Sequence, residues 1–193
     1  MCRHTRAPTQ QDDAKLDRVI AFMKQTAGMP LRLKAKAPLQ VVTSIDAAFA
    51  NRTDMKSTSG ACTTLGEGMF IAFSRMQKLN SKSSTEAEII ALSDGSNTPL
   101  WLADWLRYQG YPHLPILIEQ DNISCMTLME NGHAKAETTR FIEVRFFWIY
   151  DYIKRGLIKL VKVPTEEMAS DNFTKPVQGA IFQRLHKKIM GYK

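Results

Sequence analysis

The chain has 193 residues, 44% of them hydrophobic, which suits one domain with a sizeable core and room for a further fragment. Its formal net charge of +7 favours a polyanionic partner. Three scattered cysteines (Cys2, Cys62, Cys125) form no CxxC pair, the polar run Gln10–Lys15 excludes a signal-peptide core, and no apolar run is long enough to span a bilayer.

A reducing compartment, cytoplasmic or nuclear, fits these features. Pro8-Thr9 opens a short amphipathic helix in which Leu16, Val19, Ile20 and Met23 recur at helical spacing, and Gly28 and Pro30 end it. Leu31–Pro38 reads as a linker or a short edge strand. The β-branched run Leu39–Ile45 reads as a strand ended by Asp46. Ser59–Leu65 and Gly68–Ser74, joined through Gly66-Glu67, read as two more strands of a meander.

Ser83 then opens a long helix, with Glu86 three residues on in capping-box position. Glu88 sits about 200° from Glu86 around that helix, beside Ile89, Ile90 and Leu92. A carboxylate at the edge of an apolar face is costly unless something pairs with it. A metal ion is one partner; water is the other reading. The helix either breaks at Asn97–Pro99 or resumes to a stop at Gly110, and Trp101 and Trp105 are expected in its core rather than as stacking platforms.

Leu114–Glu119 reads as a strand closed by Asp121, and Asn122–Glu130 as a helix. His133–Thr139 reads as a polar loop and Phe141–Lys154 as a helix stopped by Gly156. Leu157–Val163 alternates like a strand. Thr165 is expected to cap a helix carrying Met168, Ala169 and Asp171, with a basic helix, Ile181–Met190, after Pro176. There is no internal repeat.

Residues just past strand ends converge on one edge of an open sheet with parallel neighbours. If the first and fourth strands are adjacent and parallel, Asp46 and Asp121 meet there, and Glu88 and Asp171 approach from flanking helices. Four such carboxylates, with no Lys or Arg expected nearby, would repel unless hard divalent cations joined them. Taken singly, Asp46 reads as a turn residue, Asp121-Asn122 as a helix cap and Asp171 as a solvated charge. Only their joint occurrence within the matching motif runs that follow favours a metal site.

Several runs carry a resemblance. SSTEAEIIAL (83–92), KSTSGACTTLG (56–66), Phe73-Ser74-Arg75-Met76-Gln77, Asp121-Asn122 and PTEEMASDNFTKP (164–176) resemble, in order, the motifs of the ribonuclease H domain of copia-type retrotransposon Pol polyproteins. PTQQDDAKLDRVIAFMKQT (8–26) resembles the last helix of the preceding reverse transcriptase. The resemblance implies an α/β ribonuclease H-like fold, a five-stranded mixed sheet in the order 3-2-1-4-5 flanked by helices. The implied division is a reverse transcriptase remnant and linker over 1–37 and the ribonuclease H-like domain over 38–193. It further implies hydrolysis of RNA in RNA–DNA hybrids during reverse transcription, beside the reverse transcriptase domain of a longer polyprotein and away from any membrane.

Asp46, Glu88, Asp121 and Asp171 match the family's D-E-D-D set, which holds two Mg2+ ions, with Mn2+ as a substitute. For the hybrid, Ser59, Gln77 and Asn122 offer groups that suit 2′-hydroxyls, and Arg75, Lys78 and Lys82 suit phosphates. The chain departs from the family at Ala48 (usually Asp), at Phe141 (usually His) and at Ser170 (usually Ala); His133 is the nearest candidate for the lost loop histidine. These departures bear on activity and keep an alternative open, a silent nucleic-acid-binding or protein-interaction module.

Overall fold

The first helix, α1 (Gln10–Thr26), is set by its N-terminus. The Thr9 hydroxyl accepts the Asp12 N–H and the Asp12 carboxylate accepts the Thr9 N–H, a reciprocal capping box. None of its residues is buried. The computed structural model describes residues 7–51, 54–132 and 148–192. It divides into two units, Met1–Leu31 and Arg32–Lys193. The first holds α1, and all later elements belong to the second.

Lys34–Ala35 (β1) is a short edge strand, antiparallel to Gly66–Glu67 (β4). The main sheet contains β2 (Val42–Ala48), β3 (Thr58–Thr64), β5 (Ile71–Met76), β6 (Ile116–Gln120) and β7 (Ile158–Lys162), in the order β5-β3-β2-β6-β7. β2, β3 and β5 pair antiparallel, while β6 and β7 run parallel to β2. That is the 3-2-1-4-5 order expected from the sequence. One expectation fails in detail: Asp46 does not end β2. The strand continues through Ala47 and Ala48, whose backbones pair with Ser59 and Thr58 of β3. The ladder outweighs the poor strand preference of Asp.

The long helix α2 (Ser84–Tyr108) passes through Pro99 without a break. Proline removes one helical N–H and costs about 3 kcal/mol in a helix interior. Here Pro99 is buried with Ala91, Leu92, Leu102 and Leu106 on one packed face, and that burial outweighs the local cost. At the helix start, Ser83 accepts the Glu86 N–H, and Glu86 reaches past the cap residue to accept the Lys82 N–H at 2.6 Å. Gly95 lets the helix approach β2 closely, since a Cβ there would lie 2.8 Å from Ile45 Cδ1.

α3 (Ile123–Asn131) and α4 (Trp148–Lys154) follow, with Trp148 Nε1 donating to Ser93 of α2. Phe141–Phe147 of the expected fourth helix, the loop His133–Thr139 and the departure at Phe141 lie outside the described residues. The expected helix from Thr165 is instead a single 3-10 turn, Thr165–Glu167, an extended Met168 and a short α5 (Asp171–Thr174). Met168 and Ala169 are fully buried, and the extended step carries them inward. Asp171 therefore starts a helix rather than lying one to two turns inside one. α6 (Gly179–Met190) closes the described chain.

Cores form on both sheet faces. Ile45, Ile89, Leu92, Ile116, Ile118, Met129 and Ile149 make the larger one, under α2, α3 and α4. Cys62, Met69 and Ala169 make the smaller, with Phe173 of α5 and Ile189 of α6. Cys62 and Cys125 are both buried free thiols. Among the described residues, no helix is long and apolar enough to cross a membrane.

Candidate metal centre

The parallel register of β2 and β6 builds the site. Ser44 lies level with Glu119, so two residues on, Asp46 is carried beside Asp121 just past the end of β6. Glu88 comes from the second turn of α2. One carboxylate oxygen from each of Asp46, Glu88 and Asp121 lies within 4.8 Å of the others. Asp46 is 1% exposed, Glu88 5%, and Asp121 half-buried. Three hard oxygen donors so placed suit a divalent cation such as Mg2+.

The fourth candidate, Asp171, is not part of that triad. It joins the site through a residue that sequence reasoning missed. Lys175 Nζ donates to Asp46 Oδ1 at 3.2 Å and to Asp171 Oδ1 at 2.8 Å. The expectation that no Lys or Arg lies near the carboxylates is therefore wrong. Lys175 is four residues after Asp171, and an i,i+4 pair across the end of a helical turn meets on one face. The spacing was visible, but only as part of a Thr-Lys-Pro run read for its resemblance. The neighbouring Thr174 hydroxyl donates to Asp46 Oδ2.

α5 is brought close by Gly60 of β3. A Cβ at Gly60 would lie 2.6 Å from Thr174 Cγ2 and 2.9 Å from Phe173 Cβ. Ser44 and Ser170 stitch the same contact, their hydroxyls 2.9 Å apart.

A second missed residue is Gln120. Fully buried at the end of β6, it donates through Nε2 to Glu88 Oε2 at 3.3 Å. Its Oε1 accepts the Asp121 and Asn122 N–H groups at 2.8 and 3.0 Å. It thus fixes the turn that carries Asp121 and holds Glu88 at once. Period-two alternation places Gln120 on the buried face with Ile116 and Ile118, which was the available signal. Asp121 is held from the other side by the Thr165 hydroxyl, 2.8 Å from Oδ2.

These surroundings set the protonation. Burial, then the nearby Asp46 and Asp121 carboxylates, push Glu88 up to about 9, so without a cation it carries a proton at neutral pH. Burial also raises Asp171, to about 6, against the opposing pull of Lys175. For Lys175, burial works to lower the value, but Asp46 and Asp171 outweigh it and hold the ammonium charged.

The residues expected to meet nucleic acid fall into two sets. Ser59 and Gln77 are buried together: Gln77 Nε2 donates to Ser59 Oγ and to the Ala87 carbonyl at 3.0 and 2.8 Å, while its Oε1 has no protein partner. Asn122 is half-buried and caps α3, accepting the Cys125 N–H. Arg75, Lys78 and Lys82 are exposed, Arg75 lying over the Phe73 ring.

A mixed sheet in this order, with carboxylates gathered at the meeting of its first and fourth main strands, defines a ribonuclease H-like fold. LC11-RNase H1, isolated from compost by a metagenomic approach, shares it at a TM-score of 0.53 and 17% identity, over 70% of this chain and 93% of that one. In sequence, the homologues are retrovirus-related Pol polyproteins of plant transposons. That of transposon TNT 1-94 from Nicotiana tabacum is 29% identical over 174 residues, 90% of this chain and 13% of the polyprotein. That of transposon RE2 from Arabidopsis thaliana is 28% identical over 194 residues, 98% of this chain and 13% of the polyprotein. The chain thus spans about an eighth of these curated relatives' length. No family model matches.

Proposed function

We propose that this chain hydrolyses the RNA strand of RNA–DNA hybrids with divalent metal ions, as the ribonuclease H part of a retrotransposon polyprotein that also carries reverse transcriptase. The observation that supports it most is the convergence of Asp46, Glu88 and Asp121 oxygens within 4.8 Å. Asp46 and Asp121 would hold the first Mg2+ with Glu88, and Asp171 would complete the set for a second; Mn2+ would substitute. When bound, such ions make water a nucleophile at neutral pH and steady the leaving oxygen.

The protein's own part is to aim and charge the donors. Thr165 and Gln120 fix the direction of the Asp121 carboxylate and of its backbone. Gln120 holds Glu88 Oε2 in place, and once its proton departs the carboxylate would serve as a ligand. The exposed Arg75, Lys78 and Lys82 would hold phosphates in a salt-dependent way.

Asp121→Asn keeps the shape and removes the charge. Magnesium-dependent cleavage of a labelled hybrid should fall by several orders of magnitude, while the melting temperature stays near that of wild type. Hybrid binding in chelator should hold or tighten slightly. Equal cleavage by wild type and Asp121→Asn would overturn the site. Wild-type binding without cleavage would leave a silent nucleic-acid-binding module.

A further inference from the structure

We infer that Lys175 is a tethered cation that bars a second divalent ion from the Asp46–Asp171 side of the centre in the free protein and releases that side when a polyanion draws its ammonium away. The inference rests on the metal-centre reading above and adds an order of filling to it.

The geometry is lopsided. Lys175 Nζ lies within hydrogen-bonding reach of one oxygen each of Asp46 and Asp171. A divalent ion held by Asp46 and Asp171 would need the wedge between them that the ammonium fills. The two cannot be there together, both on volume and on charge. Of the triad, Lys175 pairs with Asp46 alone and makes no ion pair within 4 Å with Glu88 or Asp121, so two of its three carboxylates are left to a first ion with Lys175 in place.

The Lys175 backbone is pinned, while its side chain is held only through the ammonium at its end. Its N–H donates to the Asp171 carbonyl at 2.9 Å, and Asn51 Nδ2 donates to the Thr174 carbonyl at 3.2 Å. The side chain is 37% exposed on a flexible four-carbon stem. It can therefore leave the wedge for solvent or for a phosphate without moving α5. Thr174 stays on Asp46 Oδ2 in either position. A phosphate of a bound nucleic acid is a polyanion of the right charge to take the ammonium.

The test is a Mn2+ titration of the full chain without nucleic acid, read by calorimetry and by the electron paramagnetic resonance of free Mn2+. Wild type should take one ion per chain through the millimolar range. Lys175→Met keeps the stem and removes the charge; it should take two, the second with Kd at least tenfold below that of wild type. Lys175→Arg should stay at one. Two ions on wild type, or one ion on all three proteins, overturns the inference and leaves the metal centre standing. No ion on any of them overturns the metal-centre reading and this inference with it. Melting in chelator checks that Lys175→Met folds. If it does not, Lys175→Gln, which also removes the charge, takes its place with the same outcomes: two ions uphold the inference, and one ion, as on wild type and Lys175→Arg, overturns it.

Discussion

The two ends of α2 reverse the usual ranking of residues by burial. Near its start Glu88, a carboxylate, is 5% exposed; near its end Trp101 is 62% exposed and Trp105 47%. Large aromatic side chains bury far more readily than carboxylates do. What decides here is which face of the helix meets the sheet. At the C-terminal end Pro99, Leu102, Ala103 and Leu106 fill that face, and Trp101, Trp105 and Tyr108, one helical stripe, are left outside it. At the N-terminal end the packed face carries Glu88, and Gln120 meets it there. A buried acid met by neutral donors alone, the Gln120 amide and the Ala47 backbone, and with two acidic neighbours is a poor way to stabilise a helix. It is a sensible way to present a ligand.

The largest effect expected from this contrast is on catalysis at the buried end. Glu88→Gln preserves shape and can still meet the Gln120 amide, but it cannot become an anion. Hybrid cleavage in Mg2+ should drop by several orders of magnitude with the fold retained, measured by single-turnover cleavage beside thermal melting. Undiminished cleavage would reduce Glu88 to a buried polar residue of α2. Next in size is the packed face at the other end. Leu102→Ala removes a side chain that is 5% exposed and should cost about 2–5 kcal/mol in a urea titration. A loss below about 1 kcal/mol would mean that this end of α2 is held by something other than its inner face.

A third test reads Glu88 through pH. In chelator the folded-state value is about 9, against about 4.3 in an unfolded chain. A folded value raised above the unfolded one makes the folded state bind more protons between the two. Its stability contribution is full below about pH 4.3 and is lost as pH rises towards 9. Asp171, raised to about 6, acts in the same direction over the lower part of that window. Stability in chelator should therefore fall with pH from near 6 to 9, by up to about 1.4 kcal/mol per pH unit for the Glu88 proton. Glu88→Gln should flatten that slope. A wild-type profile already flat over this range would show that Glu88 is ionised in the folded protein.

Much of this was readable in the chain itself, and the places where it was not share a cause. Strand periodicity and the order of elements carry the sheet, because each β-run and each turn signal is local. Asp46 and Asp121 were legible as neighbours because parallel strands bring their ends to one edge, whereas Glu88, on a helix, joined them through the resemblance of its flanking run. Lys175 was not, because its role depends on where a four-residue helix crosses β3, and that crossing is fixed by the absence of a side chain at Gly60. The tryptophans misled for a simpler reason. Trp101 with Trp105 and Leu102 with Leu106 are both i,i+4 pairs one residue apart. Periodicity gives two candidate stripes about 100° apart and no means to choose between them. The choice is made by the sheet, through Gly95 and Pro99, which lie on the Leu102 side.

The smallest effect is the one that isolates this last point. Trp101→Ala removes a side chain that is already mostly in water, so little buried area is lost. The substitution also gains helix propensity of a few tenths of a kcal/mol, since Ala is the better helix former. The two terms oppose each other, and the unfolding free energy from a urea titration should change by no more than about 0.5 kcal/mol in either direction. Trp105→Ala, somewhat less exposed, should fall slightly on the destabilising side of it. Fluorescence gives an independent reading. Trp148 donates to Ser93 and is half-buried, so the double variant lacking Trp101 and Trp105 should emit further to the blue and resist acrylamide more than wild type. A cost of about 2 kcal/mol or more for Trp101→Ala would place that face under cover in solution and break the contrast between the two ends of α2. A cost near zero, with Leu102→Ala costing several kcal/mol next to it, would fix the orientation of the helix to one residue.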